Sequence, residues 1–330
     1  MNRNISKLLS CRKAIIKTPL ELNNYILKNR RCIDLSYIVG KIVNNEYITF
    51  FSSTPSIIKY TNNTYLMNTR FINMAYNKAG IKIITPKQYV SLNAYSLLDT
   101  EFNIIENDIF FTDNFKEQKS YPGMGIEDIR LFNFNNTLYF NASFYDDKNN
   151  RTSTIINTYN NKPDTILDTK IFNTTFTNNN IPDKNWALFN FKNELCLVYK
   201  WYPLYICNID HNNNVINLLK HVQMPKFFQD VRGSTPGCNY KNEIWFIAHK
   251  TFTDNGIRNY FHFLVVFNLN MELMKYSQLF KFEGDKIEFC TGLIIEENRF
   301  IISYSNSDIT TKISVYDINY IINELSYTHN

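Results

Sequence analysis

Five short segments of the chain can be laid over one another on a single turn, and this repeat limits the fold more than any other feature. The segments are Ser56–Arg70, Ile129–Ser143, Trp186–Lys200, Thr235–His249 and Thr291–Ser305. Each holds an apolar strand, a polar turn ending in asparagine (Asn63, Asn136, Asn193, Asn242, Asn298), then an aromatic or β-branched strand. That is the pattern of a β-hairpin, whose turn needs residues tolerant of left-handed backbone. The turn asparagines lie 73, 57, 49 and 56 residues apart, room for one four-stranded unit each. Such a unit recurring at this spacing marks a β-propeller. The sequence therefore predicts an all-β, five-bladed β-propeller over residues 46–330, preceded by an N-terminal arm over residues 1–45. The arm is expected to be partly helical, because Thr18-Pro-Leu-Glu-Leu reads as a capped helix start. A closing helix is expected from Asp317 to Leu325.

Composition bears on the asparagine argument. The chain of 330 residues holds 48 asparagines, 26 Phe and 22 Tyr but only 9 Gly and 9 Pro. Asn, Ile, Lys, Tyr and Phe share AT-rich codons, so base composition explains the abundance of asparagine; its placement at five matching turns is what needs a fold. Hydrophobic residues at 44% against 20% charged exclude a disordered chain. A net charge of +5, without a basic block, points to no nucleic-acid partner. Six cysteines (Cys11, Cys32, Cys196, Cys207, Cys238, Cys290) show no metal-ligand spacing and read as reduced thiols. No apolar run is long enough to cross a membrane, and the basic N-terminus lacks a signal-peptide apolar region. The expectation is a cytoplasmic protein with no metal and no membrane partner.

Hairpin geometry then directs attention to one rim. A strand that leaves one end of a blade returns to that end after its turn. The positions seven after the turn asparagines are Arg70, Ser143, Lys200, His249 and Ser305. Those opposite include Glu127-Asp128, Asp183-Lys184-Asn185, Arg232-Gly-Ser234 and Glu288. One end of the axis should collect carboxylates, basic groups and a histidine, the place where innermost strands converge on a ligand pocket; a merely solvated rim is the alternative. Asp128 is the candidate acid, because partial desolvation and the adjacent Glu127 both favour a protonated carboxyl. Against it stands an ion-pair corner of Glu127 and Asp128 with Arg130. Arg70, Lys200, Arg232 and His249 read as an anion cradle, arginine forking a phosphate and lysine adding a point charge. Asn68, Lys184, Asn185, Glu288 and Asp308, with Glu127, are the expected substrate contacts.

Three stretches carry a resemblance to a known family. Gly125-Ile-Glu-Asp-Ile-Arg130 is similar to the Gly-x-Glu-Asp-Pro-Arg stretch of the five-bladed β-mannoside phosphorylases and hydrolases, glycoside hydrolase family 130, with Ile129 in place of proline. Arg232-Gly-Ser-Thr-Pro-Gly237 with His249 resembles its phosphate loop and the strand after it. Glu288-Phe-Cys-Thr-Gly292 and Tyr304-Ser-Asn-Ser-Asp308 resemble its late motifs. The resemblance, which extends to related mannosyltransferases, implies that Asp128 is the proton donor and that Arg232 and His249 hold phosphate. It implies inverting transfer of a glycosyl group, mannosyl by preference, to or from phosphate or a nucleotide sugar. An oligosaccharide or glycan is the expected substrate, and no cofactor is expected beyond that co-substrate. A hydrolase, using a second carboxylate to activate water, and a non-catalytic glycan- or protein-binding propeller remain open.

Overall fold

The computed structural model describes residues 25–111, 123–146, 151–160, 172–176 and 185–329. Its strands form five antiparallel blades in chain order. Blade I holds Ile38–Val43, Glu46–Thr61, Thr64–Ile72, Tyr89–Leu98 and Ile104–Phe110. Blade II holds Glu127–Phe134, Thr137–Asp146 and Arg151–Thr158; blade III runs from Ala187–Phe191 to Val215–Val222. In blade IV the short strands Arg232–Gly233 and Cys238–Tyr240 both pair with Glu243–Asp254, followed by Ile257–Asn268, Leu273–Ser277 and Tyr327–His329. Blade V holds Glu288–Glu296, Arg299–Asn306 and Lys312–Asp317, and takes Arg31–Asp34 as its outermost strand.

The five hairpin turns fall where the asparagines predict. Asn135-Asn136 and Lys192-Asn193 both have positive φ at each residue, the geometry that matches the twist of flanking strands. Asparagine suits it because its short polar side chain lowers the penalty other residues meet there.

Alternation along these strands explains why the blades stack. Ile244, Phe246 and Ala248 join Phe189, Val198 and Phe263 in a buried cluster between blades III and IV. Their neighbours Trp245 and Ile247 join Leu264, Phe300 and Ile302 between blades IV and V. Three further clusters fill the seams I–II, II–III and V–I. A blade buried on both faces needs a continuous apolar strand such as Phe263-Leu-Val-Val-Phe267. Each fully buried Leu, Ile or Phe contributes about 1.5–3 kcal/mol to its seam.

The N-terminal region differs from a separate arm in its described part. Arg31–Asp34 pairs with Val315–Lys312 of blade V, and Ile38–Val43 pairs with the first half of Glu46–Thr61. The expected helix near Thr18 lies mostly outside the described residues. The closing helix is present as Ile318–Glu324, with Asp317 accepting from the Asn319 N–H at 2.7 Å. Among the described residues no helix is long and apolar enough to cross a membrane.

Candidate active site

The register joins the two halves of the rim. Arg232 lies opposite His249, Glu127 opposite Ser143, Phe289 opposite Ser305, and Ser53 opposite Arg70. The innermost strand of blade II is bulged between Glu127 and Arg130, and Asp128 sits in the bulge at φ 56°. A bulge re-aims side chains, and positive φ at a non-glycine residue must be held by its surroundings.

Two arginines hold it. Arg70, with 7% of its side chain exposed, donates to Asp128 Oδ1 at 3.0 Å and lies 3.3 Å from Glu127 Oε1. Its Nε donates to Ser91 Oγ at 2.9 Å. Arg130 is fully buried and, among the described residues, pairs with no carboxylate oxygen. It donates to the backbone carbonyls of Ser234 (2.7 Å) and Asp128 (2.9 Å) and to Asn185 Oδ1 (2.7 Å). Its guanidinium also stands 5.5 Å from the centroid of the Phe289 ring. Burial pushes its pKa down to about 10. Arg130 thus binds blades II, III and IV beneath the pocket, and the corner that forms an ion pair is built on Arg70.

Asp308 belongs to the same group. Burial pushes its carboxyl up to about 6, opposed by Arg70 and reinforced by Asp128 and Glu127, with a hydrogen bond from Ser53. Its surroundings favour the protonated form over what water would allow. The sequence gives no sign of this, because Arg70, Ser53, Glu127 and Asp128 all lie far from Asp308 along the chain.

On blade IV a polar depression of about 300 Å³ is lined by Asp230, Arg232, Thr251, Thr253, Arg258 and Tyr260, with Val231. Arg232 and Arg258 are exposed and have no ion-pair partner among the described residues. Tyr260 hydrogen-bonds Arg258 and feels the charges of Asp308 and Asp128, so this depression borders the carboxylate group. Arg258 was not among the sequence candidates. The Asn255-Gly256 turn, with φ 49° and 78°, is the signal that could have found it. It folds a 12-residue strand back on an equal partner and sets Arg258 opposite Thr253.

His249 is buried and its Nδ1 pairs with Ser234 Oγ at 2.8 Å. Burial, then His262, Arg130 and Arg232, holds its pKa well below the ordinary histidine value. A neutral imidazole can donate one hydrogen bond to an anion but no charge.

The other candidates occupy different places. Lys200 is exposed, its ammonium 5.8 Å from the centroid of the Tyr205 ring. Asn68 is buried between blades I and II, donating to Asn93 and accepting from Tyr159. Glu288 accepts from the backbone N–H groups of Phe282, Glu283 and Asp285. Asn185 supports Arg130, and Lys184 lies outside the described residues. Geometry therefore brings Arg70, Glu127, Asp128 and Asp308 together, places Arg232 beside them, and leaves Lys200, Asn68 and Glu288 in other surroundings.

The long interval between the first two turn asparagines also has a structural counterpart. Between Ile72 and Tyr89 the chain leaves blade I as a small hairpin, Ala75–Tyr76 with Lys82–Ile84. The Tyr76 N–H donates to Ser307 O and the Lys286 N–H to Lys78 O, both at 3.0 Å. The excursion thereby walls the pocket end between blades I and V.

No protein-family model and no curated protein matches the chain. Solved structures match its fold. One is a β-1,2-mannobiose phosphorylase from Listeria innocua, at 13% identity and TM-score 0.58, covering 88% of this chain and 93% of that one. Another is from work on GH130 glycoside hydrolases that target β-1,2 mannosidic linkages in Candida mannan, at 12% identity and TM-score 0.59, covering 91% and 93%. A third is a GDP-Man-dependent mannosyltransferase from Leishmania mexicana, at 12% identity and TM-score 0.52, covering 85% and 89%. The chain shares the five-bladed propeller of mannoside phosphorylases, glycoside hydrolases and a mannosyltransferase.

Proposed function

We propose that the protein is a carbohydrate-active enzyme that transfers a mannosyl group, with inversion, to or from a phosphate-bearing group. The observation that carries this reading is the pairing of two sites at one end of the axis. One is a carboxylate group set around Arg70; the other is a depression with two arginines that, among the described residues, have no ion-pair partner. The first suits proton transfer at a glycosidic oxygen, the second an anion. Asp128 acts as acid in cleavage and base in synthesis, directly or through a sugar hydroxyl. Its Oδ1 stays anchored on Arg70 while the carboxylate remains 20% exposed to a ligand. Arg232 and Arg258 hold the phosphate, with Tyr260 between the anion and the carboxylates. Asp230 on the same wall limits how much negative charge the depression accepts, which favours a phosphate ester shared with the axial site over a highly charged ligand.

A second reading, hydrolysis, is supported by Asp308. A second carboxyl in the group, pushed up to about 6, supplies the partner that water activation needs. One experiment separates the readings. The protein is incubated with β-mannosides and phosphate, and separately with GDP-mannose and mannose acceptors. Mannose 1-phosphate or GDP as product supports transfer; free mannose independent of phosphate supports hydrolysis. No turnover on any of them overturns both.

A further inference from the structure

Asp285 has no place in the chemistry above, yet it is buried to 4% exposure against the turn that carries Asp308. One of its oxygens, Oδ2, accepts both the Asn306 side-chain amide at 2.7 Å and the Ser307 hydroxyl at 2.9 Å. Those two residues lead directly into Asp308, through a tight turn closed by the Ile309 N–H on Asn306 O at 3.3 Å. Ser307 and Asp308 are consecutive, neither is glycine, and both sit at φ 56°. Successive left-handed L-residues carry a cost that the turn and its surroundings together offset. Asp285 is itself fixed from below: its N–H donates to Glu288 Oε1 at 2.8 Å, and its carbonyl accepts from buried Lys281 Nζ at 2.5 Å. From above, the Tyr76 N–H bonds Ser307 O, and the Ser307 N–H bonds Ile287 O at 2.8 Å.

We propose that Asp285 is a positioning residue: by gripping Asn306 and Ser307 it holds the left-handed turn that points Asp308 at Arg70 and the rim carboxylates. Its importance for turnover rests on the reading of this group as the active site, but its grip on Asp308 does not. The Asp308 carboxyl reports the grip directly, because its surroundings set its titration. The groups facing it are Arg70, Asp128, Glu127 and Ser53, with Tyr76 and Tyr260 across the pocket.

The test follows the Asp308 carboxyl by carbon-13 NMR titration in the full chain, assigned by its loss in Asp308→Asn. In the parent protein the midpoint should lie near pH 6. In Asp285→Ala the freed turn should let the carboxyl reach water, moving the midpoint down toward the ordinary range by about one unit or more. Asp285→Asn keeps an acceptor oxygen and should restore most of the parent midpoint. Ser307→Ala, which removes one of the two bonds, should shift it part of the way and serves if Asp285→Ala does not fold. An unchanged midpoint in a folded Asp285→Ala or in Ser307→Ala overturns the proposal, as does an equal shift in Asp285→Asn and Asp285→Ala. A moved midpoint in a protein with no mannosyl turnover keeps the positioning role and removes the function; an unmoved midpoint in an active enzyme does the reverse.

Discussion

The two ends of the propeller axis are built from the same strands but solve different problems. At the turn end, two-residue hairpins close each blade, and the depression there, about 460 Å³, is lined by Ile57, Leu131, Pro236, Leu293 and Ile294 below a rim that includes Asn133 and Asn239. At the other end the cavity is smaller, but the strands stop in buried charge: Arg70, Arg130, Asp285 and Glu288 are each at most 6% exposed. Left-handed residues occur at both ends for different reasons. Asn136 and Asn193 adopt that conformation because a tight turn requires it; Asp128 adopts it in a bulge that Arg70 and Arg130 hold, and Ser307-Asp308 in a turn that Asp285 braces. Of these two depressions, size alone would favour the one at the turn end. Charge held against desolvation selects the other, and such charge is what binding and proton transfer need.

This contrast predicts graded effects. The largest should come from Asp128→Asn, which keeps shape and hydrogen bonding but cannot move a proton. Mannosyl turnover should fall about 10²–10⁴-fold with ligand binding retained, and less on nitrophenyl mannosides, whose leaving group needs less protonation. Equal losses on good and poor leaving groups would mean that Asp128 only positions the sugar. Next comes Arg130→Met. Three acceptor oxygens and a ring packing face lose their partner at once, so denaturant unfolding should show a loss of about 3–5 kcal/mol. A loss under about 1 kcal/mol would break the claim that Arg130 ties the blades together.

Two further changes act within the pocket end. Arg232→Ala and Arg258→Ala should each weaken phosphate or GDP-mannose binding by about 1.5–3 kcal/mol, measured by calorimetry. Unchanged affinity in both would remove the anion subsite. Asp308→Asn tests the raised carboxyl through pH-dependent stability. A carboxyl raised in the folded state binds its proton more tightly than the unfolded chain does. Its contribution is full below the unfolded value near 3.8 and is lost as pH rises through about 6. Relative to wild type, the asparagine variant should therefore gain about 1–3 kcal/mol in going from pH 4 to pH 8. A parallel pair of stability curves would show that Asp308 is ordinary. The smallest effect belongs to the turn end: Asn193→Ala should cost about 1 kcal/mol of stability and leave turnover unchanged.

What could be read from the chain follows the same division. The blades were legible because their signals are local: Asn-Asn136 and Lys-Asn193 specify turns, and runs such as Phe263–Phe267 specify buried strands. The rim was legible through register, since a turn fixes which residues lie opposite, as Arg232 and His249 do. Partners across blades were not legible. Nothing near Arg70 in sequence announces Asp128, 58 residues away, and nothing near Arg130 announces the Ser234 carbonyl, 104 residues away. Glu288 looked like a ligand contact because its polarity is visible; its three backbone partners are not. Arg258 lies off the asparagine turns of one face; it follows the Asn255-Gly256 turn, which closes the opposite one.

The pairing of Arg31–Asp34 with blade V has a consequence for how the molecule is made and how it fails. During synthesis this strand emerges early, then waits through about 280 residues for its partner Lys312–Asp317. Until then the ring is open, and Arg31–Asp34 has no blade to join. A chain shortened past Asp34 would leave the edge of Lys312–Asp317 unpaired permanently, a template on which the same strand from a second molecule, or any extended segment, can add. The N-terminal latch therefore guards against association as much as it stabilises a blade, and damage to it should show first as aggregation.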